Sequence, residues 1–116
     1  MAGANSTNED AKKQQNQAIA IGAGAGIINQ NTAAIAIGVG TGGDNQGTQA
    51  IAIGELAGDV DQGTQAIAIG VEAGFLTQGE KAVSIGYQAG EINQGTQAIA
   101  IGSLAGSQEQ ADNSIV

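Results

Sequence analysis

The sequence has no cysteine, histidine, proline or tryptophan, and Phe, Tyr and Met occur once each. Without Cys and His there is no disulfide, no zinc cluster, no thiol nucleophile and no imidazole base. So few aromatics offer nothing on which to stack nucleobases, and little with which to fill a large conventional core. Positive charge is scarce too. Three lysines face 11 acids, for a net charge of −8, which argues against a nucleic-acid partner. No apolar run reaches the length of about 18 residues that marks a membrane-spanning helix. The N-terminal stretch lacks the apolar core of a signal peptide. Direct membrane insertion is therefore not expected. Leu, Ile, Val and Phe make up about a fifth of the 116 residues, close to the level at which disorder becomes a serious reading.

Order along the chain overrides that reading. Ala-Ile-Ala-Ile-Gly occurs at residues 18–22, 34–38, 50–54, 66–70 and 98–102, and Ala-Val-Ser-Ile-Gly fills 82–86. The spacing is 16 residues each time, and a further copy begins at Ser114-Ile115-Val116. Constant spacing is the signature of stacked identical units. Sixteen residues are too few for a helical-hairpin repeat, which needs about 34. The apolar residues alternate with period 2, β-branched Ile favours strands, and Gly allows a sharp turn after each strand. The reading is an all-β parallel β-solenoid, or β-roll, of 16-residue coils. About six full coils and a partial seventh would fill residues 14–116. The polar residues 1–13 read as a flexible arm or leader.

In a solenoid, residues 16 apart form columns. The alternation assigns Ile19, Ile35, Ile51, Ile67, Val83 and Ile99, together with Ile21, Ile37, Ile53, Ile69, Ile85 and Ile101, to the coil interior. Ile28, Val60, Leu76 and Ile92 would close the core from a second strand. The opposite strand face, Ala18, Ala34, Ala50, Ala66, Ala82 and Ala98 with Ala20, Ala36, Ala52, Ala68 and Ala100, then becomes a flat surface of small residues, read as a subunit interface. Gln14, Gln30, Gln46, Gln62, Gln78, Gln94 and Gln110 recur once per coil and suggest a stacked amide ladder of the cross-β kind. Thr32, Thr48, Thr64 and Thr96 form a possible hydroxyl row, interrupted by Glu80, and an ice-binding solenoid is a distant alternative. The acids never stack in one column of adjacent coils, which avoids like-charge repulsion and gives no repeated calcium site.

Other motifs carry no chemistry in this context. Residues 38–43 fit GxGxxG, but a strand follows where a dinucleotide site needs a helix. Ser84 has no candidate base. No catalytic, cofactor-binding or metal-ligating residue is assigned, and no cofactor or enzyme activity is expected.

The repeated Ala-Ile-Ala-Ile-Gly-x-x-Ala unit, with Asn113-Ser114-Ile115-Val116 as the start of another, resembles the head repeats of trimeric autotransporter adhesins of the YadA-like family. The resemblance covers residues 14–116. It implies a left-handed parallel β-roll, three chains side by side, an extracellular or cell-surface location and a role in bacterial adhesion. It places residues matching Ile19 and Ile21 inside the roll, and those matching Ala18 and Ala20 toward neighbouring chains. Similar repeats also suit viral fibres, which makes a virion surface an alternative location. Two readings follow: an adhesive homotrimeric head, with Glu55, Glu72, Tyr87 and Leu104 turned toward a host or matrix surface, or a filament subunit that assembles head to tail through open strand edges.

Overall fold

The computed structural model describes residues 15–116. The arm expected at residues 1–13, and Gln14 of the amide column, lie outside the described residues. Eleven strands of three residues follow one another: β1 (Ile19–Ile21), β2 (Ile28–Gln30), β3 (Ile35–Ile37), β4 (Asp44–Gln46), β5 (Ile51–Ile53), β6 (Val60–Gln62), β7 (Ile67–Ile69), β8 (Leu76–Gln78), β9 (Val83–Ile85), β10 (Ile92–Gln94) and β11 (Ile99–Ile101). The odd strands form one six-stranded sheet and the even strands a five-stranded one. All pairs are parallel, each residue opposite its equivalent 16 positions on, as Ile51 lies opposite Ile67. The chain is a parallel β-solenoid of about five turns. Beyond β10 the stack continues through single bridges, Ile92 to Gln108 and Ile99 to Ile115.

Three-residue strands would be weak alone. The coil-to-coil hydrogen bonding continues around the corners, as in Leu56 N–H to Val39 O (2.9 Å) and Gln65 N–H to Thr48 O (2.9 Å). The corners are sharp because one residue after another adopts positive φ. Asn29, Asn45, Asp61 and Asn93 take φ between 54° and 58° in one such column, and short polar side chains tolerate that region best. Gly54 shows why its column is glycine. Its φ is +125°, and a Cβ there would lie 2.7 Å from the Gly70 carbonyl oxygen.

The interior corrects the sequence-based assignment. Ala20, Ala34, Ala36, Ala50, Ala52, Ala66, Ala68, Ala82, Ala98 and Ala100 are wholly buried, and Ala18 is half-buried. They line the coil and form no outer face. The isoleucines of β1, β3, β5, β7, β9 and β11 point outward: Ile19, Ile21 and Ile101 are exposed, and Ile35, Ile37, Ile51, Ile53, Ile67, Ile69, Val83, Ile85 and Ile99 half-exposed. Ile28 is also exposed, and Val60, Leu76 and Ile92 are only half-buried, so they do not close a core. The physical reason is thickness. The rod measures 41 × 19 × 15 Å along its principal axes. Its narrow lumen accepts a methyl group from one sheet and an extended amide from the other, with no room for paired Ile columns.

Candidate association surface

Two parallel columns of β-branched side chains run along the outer face of the six-stranded sheet. The strand pleat brings Ile35 and Ile37, Ile51 and Ile53, Ile67 and Ile69 to the same side, while the alanine between each pair points inward. In the end strands β1 and β11, Ile19, Ile21 and Ile101 are 45%, 51% and 57% exposed, and along the inner coils the same columns are half-exposed. Its two rims differ. Beyond the second Ile column lie Val39, Val71 and Tyr87, all exposed, with Glu55 among them and Leu104 beside them. Before the first Ile column the corner carries Gln17, Gln49, Gln65, Lys81 and Gln97, all at positive φ and exposed. Soluble monomers rarely expose a continuous apolar patch of this kind.

The buried amide column holds that face flat. Gln30, Gln46, Gln62, Gln78, Gln94 and Gln110 are all buried. Each reaches across the lumen to donate its Nε2 hydrogen to a carbonyl 11 residues earlier on the opposite strand, as Gln30 does to Ile19 O (2.6 Å) and Gln78 to Ile67 O (2.6 Å). Coil-to-coil amide bonds occur from Gln62 to Gln78 (3.2 Å) and from Gln94 to Gln110 (3.1 Å). The glutamines therefore tie one sheet to the other more than they tie coil to coil. Room for each amide comes from the glycine four residues before it: a Cβ at Gly42 would lie 2.9 Å from Gln46 Oε1. The recurring Gly-x-x-x-Gln spacing was a legible sign of this packing that the alternation argument passed over.

Ser84 completes the column where it replaces alanine. Its hydroxyl donates to Gln94 Oε1 (2.6 Å) and accepts from Gln78 Nε2 (3.2 Å). At Gln30, Gln46 and Gln62 the amide oxygen is buried without a partner. Ala36 stands to Gln46 as Ser84 stands to Gln94, ten residues earlier. Ala36→Ser should therefore raise stability by about 1 kcal/mol, the net value of one buried hydrogen bond, read as a higher midpoint in urea unfolding.

Apart from Glu55 and Glu72 on the rim, the acids sit chiefly about the five-stranded sheet. Burial holds the Asp59 carboxyl above its ordinary pKa; the Gly43 N–H bonded to it acts the other way, and the nearby Asp44 carboxylate adds to the rise. Glu91 is likewise raised, by burial first and then by the charge of Glu72. A carboxyl whose folded pKa exceeds its unfolded one favours the folded state in acid and loses that contribution as pH climbs past the ordinary value. Asp59→Asn keeps an acceptor for Gly43. It should raise the melting temperature at neutral pH by a few degrees and shrink the decline in stability that sets in as pH rises past the ordinary aspartate range.

The exposed residues Glu55, Tyr87 and Leu104 and the half-buried Glu72 lie along one corner, in successive coils. Among the described residues, no three acids come together in a way that could hold a metal ion, and no helix is long and apolar enough to cross a membrane. Compared with protein-family models, curated proteins and solved structures, the chain has no match. The functional reading therefore rests on the surface just described.

Proposed function

We propose that this chain is a non-enzymatic structural and adhesive module of a surface fibre, whose rods associate through the isoleucine face into a homotrimer. The observation that carries this reading is the outer face itself: two unbroken β-branched columns, half-exposed along the inner coils and exposed in the end strands, as long as the six-stranded sheet. Burying such a face contributes about 25 cal/mol per Å² of apolar area. A rod filled only with methyl groups and amides gains little hydrophobic stabilisation from within, so covering the isoleucines adds it where the monomer lacks it. The interface is thus the Ile face, with the alanines filling each coil. Three chains side by side is the arrangement implied by the resemblance of the repeat to YadA-like heads, and so is the surface-fibre role. The acidic outer surface and the exposed Tyr87 and Leu104 are then available to a host or matrix surface.

Sedimentation equilibrium tests the reading. The expected mass is three times the chain mass of 11.3 kDa, independent of loading above the dissociation range. A monomer at all concentrations would overturn it. Fibres growing with concentration, seen by electron microscopy, would replace it with head-to-tail filament assembly.

A further inference from the structure

The amide column is not uniform along the rod. From Gln62 onward it forms one connected chain. Gln62 Nε2 donates to Gln78 Oε1 (3.2 Å), Gln78 Nε2 to Ser84 Oγ (3.2 Å), the Ser84 hydroxyl to Gln94 Oε1 (2.6 Å), and Gln94 Nε2 to Gln110 Oε1 (3.1 Å). Toward the other end the chain is broken: the oxygens of Gln30, Gln46 and Gln62 are buried without a partner. Linked hydrogen bonds strengthen one another, whereas a buried acceptor with no donor bears its full desolvation cost. One lumen carries both cases, divided near Gln62.

The backbone differs along the rod in the same sense. The coil of residues 35–50 holds five glycines, Gly38, Gly40, Gly42, Gly43 and Gly47, where the coil of residues 83–98 holds three, Gly86, Gly90 and Gly95. Each added glycine gains more freedom on opening than another residue would. Thr41 acts the other way. It replaces the alanine of its column, and its hydroxyl donates to Gly54 O (2.5 Å). That single bond stands against three unpartnered oxygens and two extra glycines. The two coils are a matched pair, because each has one described coil beyond it, and fraying from the ends acts on both.

We infer that residues 19–50 are a separately opening unit, which peels away from β5 and β6 while β5 to β11 stay closed. Such local opening of one cooperative segment is a built-in conformational device. While the unit is open, β5 and β6 become free sheet edges, the kind of edge that can template pairing with another chain. The opening belongs to the single rod and does not depend on association through the isoleucine face.

Amide hydrogen exchange of the full-length protein, resolved by residue, tests this. Gly38 donates to Ile21 O, Gly42 to Ala57 O, and Gly54, on the β5 side of the break, to Ile37 O. Their equivalents 48 residues on, Gly86, Gly90 and Gly102, make the corresponding bonds to Ile69, Ala105 and Ile85. The first set should exchange at least about tenfold faster than the second, with Gly70, which donates to Ile53 O, as slow as the second. Ala36→Ser with Ala52→Ser would place hydroxyls where Ser84 stands two and three coils on, and should slow the first set about tenfold. Ser84→Ala, which only removes a hydroxyl, should speed Gly86 and Gly90 about tenfold. Equal exchange of the two sets in the wild type would overturn the separate unit. Gly86 and Gly90 exchanging unchanged after Ser84→Ala would overturn the broken amide chain as its cause.

Discussion

Ala52→Leu should destabilise the rod strongly, whereas Ile53→Ser, one residue later, should leave its stability nearly unchanged. Ala52 is wholly buried, with Ala36 and Ala68 directly opposite it on the adjacent strands. The coil above and the coil below fix the spacing along the rod, so an added isobutyl group cannot be relieved by local movement. Overpacking of a close-packed interior costs about 3 kcal/mol or more at the severe end. That is a large share of the roughly 5–15 kcal/mol by which a domain is stable. The melting temperature should fall by more than about 12 °C, at about 4–8 °C per kcal/mol. Ile53 is half-exposed on the outer face. Its replacement by Ser should change the single-chain melting temperature little and act on assembly instead. Circular dichroism during thermal unfolding of the two variants provides the comparison. The sequence-based assignment, with isoleucine inside, requires the opposite order.

Replacing Gln78 with Glu should make folding depend on acid. The Gln78 amide donates to Ile67 O (2.6 Å), Ala82 O (3.3 Å) and Ser84 Oγ (3.2 Å), and its oxygen accepts from Gln62 Nε2 (3.2 Å). A carboxylate keeps the shape but donates nothing, and it places a charge 2% exposed in a lumen of methyl groups. A buried hydrogen bond to a carbonyl that loses its donor costs about 1–3 kcal/mol, and the desolvated charge costs more. The neutral acid can donate one hydrogen again. Burial raises the folded pKa of such a group above the unfolded value of about 4.3. The folded state is therefore favoured below that value and loses ground as pH rises through the folded pKa. The variant should be unfolded at neutral pH and regain its β signal near pH 4. Gln78→Leu, which no proton can repair, should be destabilised by about 3 kcal/mol at both pH values. Equal behaviour of the two variants across pH would show that the amide is not the strut described here.

The solenoid was legible from the period alone. A 16-residue spacing with period-2 alternation leaves few other folds, and the observed pairing of Ile51 with Ile67 follows directly from it. The sidedness was not legible by the same route, because alternation gives two faces without saying which is inside. Hydrophobicity alone chose isoleucine. What decided otherwise was volume: a coil closed by left-handed corners such as Gln65 and Asn45 is too narrow for Ile. Two signals carried that information. From Ala20 to Ala100 alanine filled its column, save for Ser84, with no larger residue, as a steric limit would require; Val116, beyond the last complete coil, is exposed. Glycine preceded each buried glutamine by four residues, as at Gly58 and Gln62, where a Cβ would lie 2.8 Å from the amide oxygen. The amide column was visible as a column, but its reach across the lumen depends on the distance between sheets, which no local pattern encodes.

The central claim is that the rod hides alanine and glutamine and presents isoleucine to other copies of itself. The most direct measurement is the sedimentation-equilibrium mass of the Ile53→Glu/Ile69→Glu double variant, with circular dichroism taken on the same sample. Two charges in the middle of the outer face should leave the coil interior untouched and prevent association. The expected result is a β-rich protein sedimenting at the chain mass of 11.3 kDa, beside an oligomeric wild type. An unfolded variant would place those isoleucines in the interior, and an oligomer of unchanged mass would move the interface elsewhere; either result would contradict the account.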